Sequence, residues 1–428
     1  MPYDEPYEPA EPYKPPSNLP NINCPLRWLS VGDIPLYLGL IGLTMLEYGI
    51  CRRGFGKHII LKNWLQFSVG ITAWWLVGYA FAFGDAYHNE FIGRRFFGGD
   101  EWLTQKEKYH GSCASYFGLS GIFVVFIING AIVEKVRFVV YPIISFCIMA
   151  FIWPVVVAWD WGGGGWLMIE FQEFEAAMVD FGGTIQIFLV AGGFGLMGAV
   201  ISGRRAGKYE KLTEKFFNIG NYVIYALGAA LTMLGIISLT VSLAPTDSSR
   251  GLGAVNSWIC GSLSAITSYM IILMFRHDLN THYISIYQGF IAGQVAIASS
   301  AFNTTPWQAG IVGIITGIWF ILWYSVGNWL KIDDPINIAA TFMMPAGFGT
   351  FLPGFITDSY GCFWQDSKGY FLAAQTAAAL TVFPWALAWG AIIFGFLKLF
   401  GLLKLDNKLQ VKILENEENK LKDENLAI

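Results

Sequence analysis

The sequence predicts an all-α membrane protein, and three observations support this fold class. Hydrophobic residues make up 54% of the 428 residues. Charged residues make up only 14%, whereas soluble domains carry about 25%. The apolar residues are also grouped into blocks long enough to cross a bilayer, which takes about 20 helical residues each. Because glycine and other small residues recur inside the blocks and allow close backbone approach in lipid, we expect a tightly packed helix bundle.

About eleven apolar blocks follow one another along the chain. They cover approximately residues 34–51, 61–84, 114–133, 138–159, 181–202, 217–243, 255–275, 283–302, 308–329, 336–357 and 370–400. An extension rich in Pro, Tyr and Glu precedes them in residues 1–33, and a charged tail follows in residues 403–428. The extension repeats a loose Y-x-x-P pattern that favours an extended or polyproline-like chain. The sequence therefore predicts a transmembrane domain in residues 34–402 with a distinct segment at each end.

Basic residues predict the orientation of the bundle. The segments after the first, third, fifth, seventh and ninth blocks are rich in Lys and Arg, as in "GRRAGKYEKLTEK", whereas most alternate segments are acidic or neutral. By the positive-inside rule, the amino terminus lies outside and the carboxyl terminus inside. No basic and apolar signal peptide opens the chain. This fits a plasma membrane or an organelle membrane such as the mitochondrial inner membrane.

Ionisable residues near the blocks are few, and in a membrane such residues are candidates for function. Glu47 lies near the end of the first block, close enough to Arg52 and Arg53 to pair, and Lys62 opens the second block. The five histidines all lie in loops or at block ends: His58, His88, His110, His277 and His282. A histidine proton relay in the membrane core is therefore excluded. The six cysteines are scattered singly, which indicates neither a disulfide framework nor a metal site.

Two aspartates share a spacing that predicts an internal repeat. Asp180 heads the fifth block eight residues before Phe188, and Asp334 heads the tenth block eight residues before Phe342. Eight residues make a little over two α-helical turns, so each pair falls on roughly one helix face. If the fifth and tenth blocks correspond, the chain contains two inverted five-helix repeats followed by a last long helix. Each aspartate can also cap the amino terminus of its helix, and one residue can do both.

At this point the chain resembles the ammonium transporter (Amt/Mep/Rh) family over nearly all of residues 34–400. The segments that carry the resemblance occur in the family's order: "GYAFAFG", "GAIVEKVRF", "WGGGG", "DFGGTIQIFLVAGGFGLMGAVISGRR", "GFIAGQV" and "KIDDPINIAATFMMPAGFGTFLPGF". The resemblance implies eleven helices, an outer amino terminus and a homotrimer with one pore per subunit. It also implies an outer aromatic vestibule with a nearby acid, stacked phenylalanine gates below it, and two pore histidines that relay a proton while ammonia crosses.

When the vestibule residues of the family are compared with this chain position by position, some are retained and others are replaced. Asp180 falls on the family's helix-heading aspartate, Trp161 on the vestibule tryptophan and Tyr116 on the outer gate phenylalanine. Ile236 and Leu243 stand where the family has a tryptophan and a polar vestibule residue in the sixth block. The resemblance therefore implies a vestibule with a weakened cation site.

In the pore, both histidine positions of the family fall on phenylalanine, Phe188 and Phe342, whereas Asp334 remains as a structural acid. Phenylalanine cannot accept a proton, and two rings in contact would fill a narrow pore. We therefore expect a non-conducting or impaired transporter-like protein that acts as an accessory or structural subunit of a membrane assembly. Two alternatives stay open: a working ammonia or ammonium channel with an altered path, and an ammonium sensor that binds at Trp161 and Asp180 without passage.

Other function classes find no support in the sequence. No nucleophile–base pair, phosphate-binding loop or metal-ligand spacing appears, so neither an enzyme nor a cofactor or metal site is indicated. The basic residues account for the topology signal, and nucleic-acid binding is not indicated. The expected partners are the lipid bilayer, ammonium or ammonia, and either sister chains in a homotrimer or other membrane subunits held through the two tails.

Overall fold

The computed structural model describes residues 26–52, 55–84, 91–100, 102, 110–162, 165–169, 178–211, 213–276, 278–356, 361–362 and 369–406. The predictions for residues 1–25 of the extension and 407–428 of the tail lie outside these residues. The first helix begins at Leu26, before the predicted boundary at residue 34. The predicted extension is therefore helical in its last residues.

Eleven long helices occur in the described residues, in the order of the eleven apolar blocks. Their bounds are α1 Leu26–Ile50, α2 Gly56–Phe83, α3 His110–Ile132, α4 Val140–Trp159, α5 Thr184–Ser202, α6 Tyr222–Ser242, α7 Asp247–Phe275, α8 Leu279–Ile297, α9 Pro306–Trp329, α10 Ala339–Ile356 and α11 Tyr370–Leu399. All except α1 and α8 are long and apolar enough to cross a membrane by length and composition. The predicted all-α class and helix order are confirmed.

The first helices of the two halves, α1 and α6, cross with their backbones almost in contact. A Cβ atom added to Gly39 would lie 2.6 Å from the Cα atom of Gly235, which faces it across the crossing. No real Cβ contact is that short, so only glycine fits at this point. The expectation that small residues allow tight helix packing is confirmed here.

Four of the helices contain a π-helical turn, in which hydrogen bonds run from residue i to i+5. The turns span Trp74–Gly78, Ile148–Ile152, Thr184–Leu189 and Ala339–Met343. Phe188 and Phe342 lie in the last two. Asp180 precedes its turn across Gly183, whose φ of 77° is left-handed. The predicted α-helical spacing between each aspartate and its phenylalanine is therefore not what places the rings.

The buried ion pairs differ from the prediction for Glu47. Its Oε1 atom lies 2.6 Å from Nζ of Lys62, whereas Arg52 binds Glu134, with 2.9 Å between Nε and Oε2. Arg52 lies beyond the end of α1, where its side chain reaches the segment after α3. The predicted partner Arg53 lies outside the described residues.

A larger ion-pair network joins the segments that follow four of the helices. The Arg205 guanidinium contacts Asp333 at 2.9 Å and Glu134 at 3.0 Å, and Glu134 also binds Arg52. The four residues follow α1, α3, α5 and α9 in the order Arg52, Glu134, Arg205 and Asp333. We call this end of the bundle the ion-pair end, and the opposite end, which carries Trp161, the Trp161 end.

Candidate functional site

Phe188 and Phe342 form a near-parallel aromatic pair in the interior of the bundle. Their ring centroids are 6.0 Å apart and their planes differ by 20°. Both side chains have 0% exposure, and Phe123 of α3 meets the Phe188 ring edge-on at 6.4 Å. Aromatic pairs contribute about 0.5–1.5 kcal/mol beyond the burial of their area. The structure therefore brings the two phenylalanines together as a buried pair whose side chains carry no polar atom.

The backbone that carries Phe188 is held by Asp180. Its carboxylate accepts hydrogen bonds from the backbone N–H groups of Thr184, Ile185 and Gln186 at 2.7, 2.7 and 2.9 Å. Burial raises the pKa of Asp180 to about 7, although these donors favour its charged form. The capping role expected for Asp180 is therefore observed, and its oxygens are engaged by the backbone.

Asp334 occupies the corresponding place before α10. Its Oδ2 atom accepts a hydrogen bond from the backbone N–H of Ala339 at 2.9 Å, at the first residue of the π-helical turn that carries Phe342. Burial raises the pKa of this carboxyl group above its ordinary value. Both halves of the molecule thus place an acid at the head of the helix that supplies one ring of the stack.

At the Trp161 end, the three predicted vestibule residues are connected through one further ring. The Trp161 indole N–H donates to the backbone oxygen of Asp180 at 2.8 Å, and its ring lies 5.3 Å from Phe117. Phe117 in turn meets Tyr116 edge-on at 5.5 Å, and the Tyr116 hydroxyl donates to the Ser238 carbonyl at 3.4 Å. Sequence reasoning missed Phe117, although its position next to Tyr116 in an aromatic-rich helix was a usable signal.

Ile236 and Leu243, the two predicted replacements in the sixth block, are both buried apolar residues. Ile236 has 0% exposure and Leu243, just after the helix end, has 8%. Their side chains offer no hydrogen-bond acceptor to a cation. This side of the site therefore contributes packing only.

Sequence reasoning also missed a buried polar pair beside the vestibule. Gln186 sits in the same π-helical turn as Phe188, yet its amide nitrogen contacts Asp160 Oδ2 at 3.3 Å. The backbone oxygen of Gln186 accepts from the Trp153 indole at 2.9 Å. The signal was Asp160 itself, an acid between two tryptophans in "WDWGGGG".

The described histidines lie near helix starts, away from the phenylalanine stack. His110 opens α3, where its Nδ1 atom is 2.5 Å from the Tyr79 hydroxyl, and His58 and His282 lie in the first turns of α2 and α8. His88 and His277 are outside the described residues. Within the described part of the chain, no group of three or more His, Cys, Asp or Glu side chains is arranged to hold a metal ion.

These features define a polytopic helical membrane protein in which two inverted halves each contribute one ring to a central aromatic stack. The chain belongs to the Ammonium Transporter Family, whose family model matches residues 28–421. The resemblance seen in the sequence motifs is thereby confirmed, and the protein is a multi-pass integral membrane protein.

Similar proteins and structures agree with this membership. The chain is 29% identical over 408 residues to "Ammonium transporter 3" of Dictyostelium discoideum, covering 88% of this chain and 89% of that protein. It is 27% identical over 404 residues to "Putative ammonium transporter 1 member 5" of Arabidopsis thaliana, covering 85% and 78%. A structure titled "Sensor Amt Protein" shares the fold with a TM-score of 0.81 at 23% identity, covering 91% of this chain and 96% of that one. Mep2 of Saccharomyces cerevisiae superposes with a TM-score of 0.76 at 19% identity, covering 89% and 87%.

Proposed function

We propose that this chain is a family member that does not conduct ammonium, or conducts it poorly, and that serves as an accessory or structural subunit of a membrane protein assembly. The observation that carries the proposal is the stack of Phe188 on Phe342, two rings with 0% exposure in the interior of the bundle. The named relatives are ammonium transporters, so ammonium or ammonia is the substrate class against which conduction is judged.

The argument rests on the cost of moving a cation through an apolar constriction. Stripping water from an ion costs many kcal/mol unless polar groups replace it. The rings of Phe188 and Phe342 offer a cation no lone pair and no group that could take its proton. The Asp180 oxygens already accept three backbone N–H groups. Ammonium therefore meets neither a replacement for its hydration shell nor a base at the stack.

The first test is transport by the purified protein in liposomes. We expect no ammonium-driven current above that of empty liposomes, and a robust current would overturn the proposal in favour of a working channel with an altered path. The double variant Phe188→His/Phe342→His should raise the flux, because it supplies a base at both positions. Phe188→Leu/Phe342→Leu is the matched control, since it removes the rings without adding a base. An equal rise in both double variants would show that only the steric block matters.

A second candidate function is ammonium sensing without passage. The Trp161 and Tyr116 rings remain connected through Phe117, and an aromatic face attracts a desolvated cation by about 2 kcal/mol or more. Titration of the protein with ammonium chloride, followed by tryptophan fluorescence, tests this function. A saturable change that is lost in Trp161→Leu, together with zero flux, would select the sensor, and no saturable change would reject it.

The assembly in which the protein acts is part of the same proposal. Either sister chains or other membrane subunits would surround it, with the two terminal segments as the points of attachment, in a plasma membrane or an organelle membrane such as the mitochondrial inner membrane. Isolation of the intact complex in mild detergent, followed by mass measurement, distinguishes a homotrimer from a hetero-complex. Recovery of the chain as a lone monomer under conditions that preserve other complexes would contradict the accessory role.

A further inference from the structure

Asp160 and Gln186 form a buried pair that the proposed function does not use. Asp160 follows the last residue of α4 and is 3% exposed, and Gln186 of α5 has 0% exposure. The Gln186 amide nitrogen donates to Asp160 Oδ2 at 3.3 Å. The amide oxygen, Oε1, is also buried, and no donor among the described residues reaches it. Leaving a buried polar atom without a hydrogen-bond partner destabilises the fold, so a donor is expected to reach Oε1.

The protonation state of Asp160 decides whether that donor exists. An ionised carboxylate has acceptor oxygens only, whereas the protonated acid has one O–H donor and keeps a carbonyl acceptor. A carboxylic acid and a primary amide facing each other can therefore form two antiparallel hydrogen bonds. The N–H to oxygen bond of that arrangement is already present between Gln186 and Asp160. A proton on Asp160 would supply the donor that Oε1 lacks among the described residues.

The charges around Asp160 also favour the protonated acid. Burial, and then the nearby Asp180 carboxylate, raise the pKa of Asp160 well above its ordinary value, whereas the hydrogen bond from Gln186 opposes this shift. Asp180, in the segment before α5, is the charged group that faces Asp160 among the described residues, and within them Asp160 forms no ion pair. The neighbours of Asp160 in the chain, Trp159 at the end of α4 and Trp161 beyond it, carry no charge.

We propose that Asp160 and Gln186 form a proton-binding site in the wall of the Trp161 end, occupied at neutral pH and separate from the phenylalanine stack. No cavity is needed, because the ligand is a proton that closes an existing acid–amide contact. Loss of the proton would add a buried negative charge near Asp180 and leave the Gln186 oxygen without a donor among the described residues. The site does not depend on conduction, so it stands or falls independently of the function proposed above.

Infrared spectroscopy of the full-length protein in lipid tests the site directly, because a protonated carboxyl group has a C=O band distinct from that of a carboxylate. Because the pKa of Asp180 is also raised, to about 7, the Asp160 contribution is taken as the difference between the spectra of the natural protein and Asp160→Asn at pH 7. We expect this difference to contain a carboxylic-acid band that shifts in D₂O, and the same difference for the matched control Asp247→Asn to contain none. Asp247 is an exposed carboxylate at the start of α7, with 82% side-chain exposure. Asparagine keeps the size of the side chain and can still bond to Gln186, so Asp160→Asn is expected to fold.

A second variant tests the pairing itself. Gln186→Leu should keep the acid band but move it to higher wavenumber, because the acid loses its hydrogen-bond partner. A difference spectrum at pH 7 without a carboxylic-acid band for Asp160→Asn would overturn the proposal, since Asp160 would then be ionised. A band that Asp160→Asn removes but Gln186→Leu leaves unshifted would refute the acid–amide pair. Fluorescence and circular dichroism of each variant verify that the fold is intact.

Discussion

Replacing Arg205 by methionine should destabilise the protein far more than replacing its neighbour Arg204. Arg205 is buried and donates to both oxygens of Asp333, at 2.9 Å from Nη2 and 3.0 Å from Nε, and to Glu134 at 3.0 Å from Nη1. Arg204 is exposed, and its Nε atom donates to the backbone oxygen of Lys331 at 2.9 Å. The two positions are adjacent in the chain, so they form a matched pair of variants.

The expected loss of unfolding free energy depends on which positive charges remain near Glu134 and Asp333 after Arg205 is removed. Removing one partner of a buried ion pair costs about 3–5 kcal/mol, because the other charge is left buried and uncompensated. Glu134 would retain Arg52 at 2.9 Å. Asp333 would lose its guanidinium, although the Lys135 ammonium remains close enough to stabilise the carboxylate. We therefore expect a loss of about 3 kcal/mol for Arg205→Met, at the lower end of that range, and at most about 0.5 kcal/mol for Arg204→Met.

Equilibrium unfolding in mixed micelles of SDS and a mild detergent, followed by tryptophan fluorescence, measures both free energies. The double variant Arg205→Met/Asp333→Asn should recover a large part of the loss, since it removes the orphaned charge. Equal free energies of unfolding for Arg205→Met and Arg204→Met would refute the reasoning. A double variant that is as unstable as the sum of its parts would show that the buried charge is not the cause.

Three further predictions concern packing, capping and pH. Gly235→Val should disrupt the α1–α6 crossing and lower the yield of folded protein, whereas Gly251→Ala, where an added Cβ meets no atom within 4 Å, should not. Asp180→Ala should cost about 1–2 kcal/mol in the free energy of unfolding, because it removes the cap of α5. The pKa of Asp160 is higher in the folded than in the unfolded protein, so protonated Asp160 favours folding. This contribution to stability is complete below about pH 4, the ordinary pKa of an aspartate, and is lost as pH rises through the pKa of the folded state. As pH rises above about 4, the thermal midpoint should therefore fall less steeply in Asp160→Asn than in the natural protein; equal slopes would contradict this assignment.

The helix order was predictable from the sequence because membrane-spanning segments are recognisable by their length and their high content of apolar residues. All eleven blocks became helices, and the start of α1 was missed because the Asn, Pro and Arg residues of "NINCPLRWLS" interrupt the apolar pattern before residue 34. The contact between Phe188 and Phe342 was also predictable, because two equivalent positions of an inverted repeat meet near its axis.

Ion pairing and local helix geometry were less accessible to sequence reasoning. Glu47 was assigned to the nearby arginines, but Lys62, on the neighbouring helix, binds it instead. Partners that are distant in the chain become neighbours only through the fold, and Arg205 with Asp333 is the clearest case. The π-helical turns have no sequence signature of their own, so the side chain of Gln186 could not be assigned to Asp160 beforehand.

The anchoring of the π-helical turns has a consequence for engineering. Asp180 and Asp334 accept hydrogen bonds from the backbone N–H groups of their π-helical turns. These hydrogen bonds do not depend on which side chains occupy positions 188 and 342. Side chains at the two positions, whose ring centroids are 6.0 Å apart, can therefore be exchanged while the backbone around them keeps its conformation. Pairs of acidic, amide or thiol side chains placed there would make this chain a host in which designed selectivity filters can be compared on one unchanged backbone.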